Sequence, residues 1–178
     1  MGGLRQVGQT TSHENPQSGL KIMYTNARSV VNKIQELKLI VFNVQPDIIA
    51  LTETWTHENI TNHYLSIPNY YIASRQDRRD TNNGRGGGII IYVKDSIKTN
   101  EILIPTNFNQ VACIDIITSS NHTTNLLVVY RSPNSTNVNN DLLLNLLQNV
   151  NKPTIVLGDF NFPGANWDDL KGAKIQSH

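Results

Sequence analysis

The chain is short of cysteine, of long apolar runs and of net charge, and each shortage removes a class of protein. A single cysteine, Cys113, in 178 residues excludes an internal disulfide framework and a cysteine-ligated zinc site, since both need several thiols. Cys113 alternates within Val111-Ala112-Cys113-Ile114-Asp115-Ile116-Ile117, which predicts a buried, inert thiol. No apolar run approaches the roughly 20 residues of a membrane-spanning helix, so no membrane partner is expected. Residues 1–18 are rich in Gly, Gln, Thr and Ser and lack an apolar stretch. They predict a disordered leader and not a signal peptide, and with it an intracellular protein. Fifteen Lys and Arg balance 14 Asp and Glu for a net charge of +1. A dedicated nucleic-acid surface is usually more basic, so any such contact must come from local charge.

Other signals are missing too. His13, His57, His63 and His122 lie in polar stretches without ligand spacing and read as solvated surface. Gly86-Gly87-Gly88 is followed by a strand-like run and by no Lys-Ser/Thr, so it is not a nucleotide-binding P-loop. Those glycines predict close backbone approach or a bulge at a strand start. Without internal repeats or a long linker, residues 19–178 form one domain.

What is present is an alternation of apolar strands with two amphipathic helices. After a strand over Leu20–Tyr24, Ser29 is placed to cap a helix carrying Val30, Ile34, Leu37, Val41 and Val44 on one face, and Pro46 ends it. Asp47–Thr52 is the next strand, a parallel neighbour by the right-handed crossover rule. Further strands are expected near Tyr70–Ser74, Gly88–Val93, Ile102–Ile104, Val111–Thr118 and Asn125–Tyr130, with turns at Asn82-Asn83-Gly84 and Ser119-Ser120-Asn121. A second helix over Val138–Val150 has Leu142, Leu143, Leu146, Leu147 and Val150 at helical spacing, a stripe that core packing explains.

Four apolar strands deliver polar residues at their ends. Ile155-Val156-Leu157-Gly158 stops on Asp159-Phe160-Asn161. Gly158 permits a tight turn, and the two-residue spacing of Asp159 and Asn161 points both the same way in extended geometry. Alone, this pair is equally an Asx turn closing a strand or an acid–amide pair for hydrolysis. The strand before Thr52 releases Glu53, the first strand releases Asn26 and Arg28, and Leu126–Val129 runs into Tyr130, Arg131 and Asn134. A carboxylate for a hard cation, an acid–amide pair and donors suited to phosphate make a coherent phosphoester site. Arg75, Arg78, Arg79 and Arg85 cluster with Asp77 and Asp80. They form either a solvated loop of mixed charge or a loop riding on a phosphate backbone.

The motifs Asn26-Ala27-Arg28-Ser29, Leu51-Thr52-Glu53-Thr54-Trp55, Gly86-Gly87-Gly88-Ile89-Ile90-Ile91-Tyr92, Tyr130-Arg131-Ser132-Pro133-Asn134 and Gly158-Asp159-Phe160-Asn161 resemble the endonuclease/exonuclease/phosphatase superfamily. Most of all they resemble the apurinic-type endonuclease domain of non-LTR retrotransposons. The resemblance implies a layered α/β sandwich of DNase I-like type and a DNA-nicking hydrolase dependent on Mg2+, with Mn2+ an alternative. It implies Glu53 and Asn26 at the metal, Tyr130 on the scissile phosphate, Asp159 on the attacking water and Asn161 at the transition state. Arg28, Arg131, Asn134 and Arg85 are the DNA-facing candidates, and nuclear access follows from a DNA substrate. Arg28 stands where many members carry an acid, which argues against a second metal site.

The family's Ser-Asp-His motif and an upstream acid have no counterpart after Asp159. His178, in Gln176-Ser177-His178, is wrongly spaced to replace it. An incomplete domain with its C-terminal part missing is therefore expected, with open apolar surface, poor solubility and little nicking. The rivals are a phosphomonoesterase of the same fold and an inactive fragment serving as an interaction module.

Overall fold

Alternating side chains on the strands dictate two sheets with three apolar layers. The computed structural model describes residues 19–77, 86–108, 110–117 and 122–162. In chain order these form β1 (Ile22–Asn26), α1 (Ile34–Val44), β2 (Ile48–Thr52), β3 (Tyr70–Gln76), β4 (Ile89–Lys94), β5 (Lys98–Ile102), β6 (Val111–Ile117), β7 (Thr123–Tyr130), α2 (Asn137–Gln148) and β8 (Thr154–Asp159). One sheet has the order β1-β2-β4-β3 and the other β5-β6-β7-β8. One outer pair of each sheet, β1 with β2 and β7 with β8, is parallel, and the other pairs are antiparallel.

Between the sheets lie Ile48, Ala50, Ile89, Ile91 and Val93 from one side and Ala112, Ile114, Ile116, Leu126, Val128 and Tyr130 from the other. The intervening residues face outward. Ile49, Leu51, Ile90 and Tyr92 meet Val30, Ile34, Leu37 and Val41 of the α1 segment. Val111, Cys113, Leu127 and Val129 meet Leu143 of α2. The result is helix, sheet, sheet, helix. Each buried aliphatic side chain contributes about 1.5–3 kcal/mol to this arrangement.

Local differences from the sequence expectation have physical causes. Ser29 does not cap α1: its φ is 78°, its N–H is held by the Glu53 carbonyl at 2.9 Å, and a short 3-10 turn over Val31–Lys33 precedes the helix. Gln45, in the left-handed region before Pro46, closes α1 and returns its N–H to Val41. The strand expected at Ile102–Ile104 lies upstream, at Lys98–Ile102, where a polar edge strand pairs with β6 and leaves Leu103 exposed. Gly158 does not turn the chain. It lies inside β8 opposite Val129, and a Cβ there would collide with the Val129 carbonyl. Both expected turns, at 82–84 and 119–121, lie outside the described residues, as does the 1–18 segment.

Candidate active site

The carboxyl ends of β1, β2, β7 and β8 all reach the same mouth between the sheets. Register places Asn26 beside Thr52 and Asp159 beside Tyr130, and β1 and β2 pack against β7 and β8. The Asn26 amide donates to Asp159 Oδ2 at 2.7 Å, a bond between residues 133 apart in the chain. It joins the two sheets. The Asp159 carboxylate is thus oriented by a neutral donor.

Glu53 enters from the next strand end on a turn with φ 54°, a region that non-glycine residues seldom adopt. Backbone bonds on both sides hold that turn. The Ser29 and Val30 N–H groups donate to the carbonyls of Glu53 and Thr54, while the Thr54 and Trp55 N–H groups donate to the carbonyls of Gly88 and Gly87. The carboxylate itself is gripped at Oε2 by the Trp55 indole N–H at 2.6 Å and by the Gly87 N–H at 3.1 Å. Gly86, Gly87 and Gly88 all have positive φ, and a Cβ on Gly88 would collide with the Thr54 hydroxyl. Close approach is therefore the reason for the glycine run.

Tyr130 stands between the two acids. Burial raises its pKa first, then a hydrogen bond to the Glu53 carboxylate and the charges of Glu53 and Asp159 add to the rise, so the phenol stays protonated at any physiological pH. Tyr24 is raised chiefly by burial, with the charges of Asp159 and Glu53 adding and a bond to Thr52 opposing. Its hydroxyl lies 3.0 Å from Thr52 Oγ1. Asn26, Tyr24, Asp159, Asn161 and Asn134 line one open cleft of about 800 Å³.

The remaining candidates divide. Arg28 is exposed at the rim, with its N–H on Asn26 Oδ1 at 3.2 Å. Asn134 is exposed and shares the cleft wall. Arg85 lies outside the described residues. Arg131 is a correction. Expected to face phosphate, it is 4% exposed: strand alternation turns it away from inward-facing Tyr130 and toward the α2 layer. There its guanidinium donates to Asn140 Oδ1 at 2.8 Å, to the Ser132 carbonyl at 3.2 Å and to the Asn161 carbonyl. It also lies 4.2 Å from the Phe162 ring centre. Asn161 is a partial correction: its φ is 41° and its amide donates to the Arg131 carbonyl at 2.9 Å, so it does not simply continue the extended direction of Asp159.

Tyr24, the Trp55 indole and Gln110 were not assigned roles from sequence. Tyr24 and Trp55 each stand two residues from an assigned one, a spacing that could have found them; Gln110 carries no such signal.

The chain's relatives agree with this architecture. The model of the Endonuclease/Exonuclease/phosphatase family matches residues 17–178. The chain belongs to that family. No curated protein matches it in sequence. Among solved structures it is similar to the human Nocturnin catalytic domain with bound sulfate, at 18% identity and TM-score 0.56, over 80% of this chain and 64% of that one. It is similar to the endonuclease domain of TRAS1, a telomere-specific non-LTR retrotransposon, at 14% identity and TM-score 0.55, over 80% and 59%. A third is the mannosyl-6-phosphatase Bt3783 of Bacteroides thetaiotaomicron, at 14% identity and TM-score 0.54, over 80% and 66%. The chain thus spans less than two thirds of the first two structures. At such identities the likeness is one of fold, a DNase I-like α/β sandwich. Cys113 is free and buried, as its alternation implied. Among the described residues no helix is long and apolar enough to cross a membrane.

Proposed function

We propose that the cleft hydrolyses phosphodiesters in DNA, as the endonuclease of a non-LTR retroelement. The observation that carries this reading is the Asn26–Asp159 bond across the mouth between the sheets, with the gripped Glu53 carboxylate and the protonated Tyr130 beside it. The donor set around it is all oxygen, without His or Cys, and suits a hard cation. Among the described residues no three acidic, His or Cys side chains gather as ligands. Glu53, with Asn26, would therefore hold Mg2+, or Mn2+ in its place, weakly and largely hydrated. When bound, the ion supplies charge that offsets the negative charge developing on phosphorus.

The protein's own groups do the rest. Asp159, fixed by Asn26, orients a water and accepts its proton. Tyr130, still protonated, would turn its single O–H from Glu53 to a non-bridging phosphate oxygen. Asn161 lines the same cleft, and with one amide hydrogen on the Arg131 carbonyl it keeps a second to donate there. Arg28 and Asn134 on the rim face the phosphate backbone, where an arginine adds salt-sensitive affinity; the same role is proposed for Arg85, which lies outside the described residues.

The test is nicking of supercoiled plasmid in Mg2+, run beside a paired aryl phosphodiester and phosphomonoester. No histidine lines the cleft among the described residues. Turnover is therefore expected to be slow, about 10²-fold or more below a site with a full acid–base pair, and Asp159→Ala should remove it. Preference for the monoester would favour a phosphomonoesterase, the activity named for the Bacteroides relative. DNA binding with no Asp159-dependent turnover would favour an interaction module.

A further inference from the structure

Gln110, which no motif marks, is bonded to both the glycine run beside Glu53 and the backbone of Tyr130. Its side-chain carbonyl accepts from the Gly88 N–H at 3.0 Å. Its side chain also lies flat against Gly87, close enough that a Cβ on Gly87 would collide with the amide. The Gly87 N–H is one of the two donors on Glu53 Oε2. On the opposite sheet, the Gln110 main-chain carbonyl accepts from the Tyr130 N–H at 3.1 Å. One residue at the entry to β6 is therefore bonded to the glycine run that holds the carboxylate and to the backbone of the phenol that lies against it. Gln110 also lines a small pocket of about 210 Å³ with Tyr130 and Asn134, and Asn134 is shared with the cleft wall.

We propose that Gln110 is a positioning residue that sets Glu53 against Tyr130, through Gly87 and Gly88 on one side and the Tyr130 backbone on the other. The proposal rests on reading the cleft as a phosphodiester site, but its geometry exists without metal or substrate. Replacing the amide by an apolar side chain of equal length frees the Gly88 N–H and loosens the Gly87 donor. The Glu53 Oε2 atom then depends chiefly on the Trp55 indole N–H. A side chain that keeps an acceptor at the same reach preserves the link.

The Trp55 indole N–H reports this directly, because it donates to the same carboxylate oxygen. The experiment is the metal-free 1H–15N spectrum of the full chain in a Trp167→Phe background, which leaves one indole signal, followed by Mg2+ titration. Gln110→Met and Gln110→Asn should both move the indole signal and weaken Mg2+ binding about fivefold, the value of one modest hydrogen bond. Gln110→Glu, which keeps the acceptor, should leave the indole signal in place. The proposal fails if Met and Asn leave the indole unmoved, or if Glu shifts it as far as they do. If Gln110→Met does not fold, the Asn and Glu pair decides alone. Loss of all Mg2+ response in the parent chain would sink the phosphodiester reading, while the metal-free shifts would still judge Gln110.

Discussion

The strand that supplies Glu53 and the strand that supplies Asp159 are opposites. β2 is buried at every position, between β1 and β4 in its sheet and under α1 on its outer face. β8 has no buried residue. Among the described residues it pairs on one side, with β7, and Ile155 and Val156 are each 37% exposed. Glu53 is therefore set by the core and by backbone bonds to two segments, at Ser29–Val30 and at Gly87–Gly88. Asp159 depends on one ladder, one amide from Asn26 and the Arg131 clamp on the residues that follow. A site that joins a rigid half to a lightly held half is most sensitive to changes in the second, even when those changes lie away from the chemistry.

The largest expected effect follows from Gly158. Gly158→Ala drives a Cβ into the β7 backbone, so β8 must leave its register. A loss of about 4 kcal/mol or more in chemical denaturation is expected, in the range of severe backbone conflicts, together with loss of any Asp159-dependent activity. Stability close to the parent would show that β8 tolerates displacement, and the comparison would lose its basis. Next comes a matched pair on the outward faces of neighbouring strands. Leu127 on β7 lies under α2, and Leu127→Ala should cost about 3 kcal/mol, while Val156→Ala on β8 should cost under about 1 kcal/mol. Equal costs would mean that β8 is as well covered as β7.

Arg131→Met separates clamp from charge. It removes a buried cation, which by itself costs little or even stabilises. It also leaves the Asn161 and Ser132 carbonyls without their donor. A net loss of about 2 kcal/mol is expected, with salt dependence of DNA binding unchanged, since a buried guanidinium releases no counterion from phosphate. A reduced salt slope would return Arg131 to the DNA-facing set. The smallest effect concerns Cys113, whose thiol burial pushes up to about 11. It should resist thiol reagents in the native chain below about pH 9 and react at once in denaturant. Rapid native reaction would place the opening under α2 rather than at β8.

Much of this could be read from the residues. Each strand that ends at the cleft is an unbroken apolar run followed by a polar residue, and the run itself sets the strand. Asn26, Tyr130 and Asp159 converge because their strand ends converge. What could not be read depended on partners far along the chain. Arg131 looked like a phosphate donor because alternation beyond a strand end does not reveal that a helix will cover it. Ser29 had the right chemistry for a cap, but the Glu53 turn claims its backbone first. Gln110 acts through a side-chain bond to a residue 22 positions away, and a lone long-range bond leaves no periodic trace.

The most direct measurement is Mg2+ titration of the purified chain and of Glu53→Gln, followed through the Trp55 indole and the Tyr130 ring signals. If Glu53 and Tyr130 belong to one metal-assisted site, the parent should show weak saturable shifts in both residues, and Glu53→Gln should lose them while keeping the fold. Unchanged shifts in Glu53→Gln would contradict the account, because the cation would then bind elsewhere and the convergence of the strand ends would not be a catalytic site.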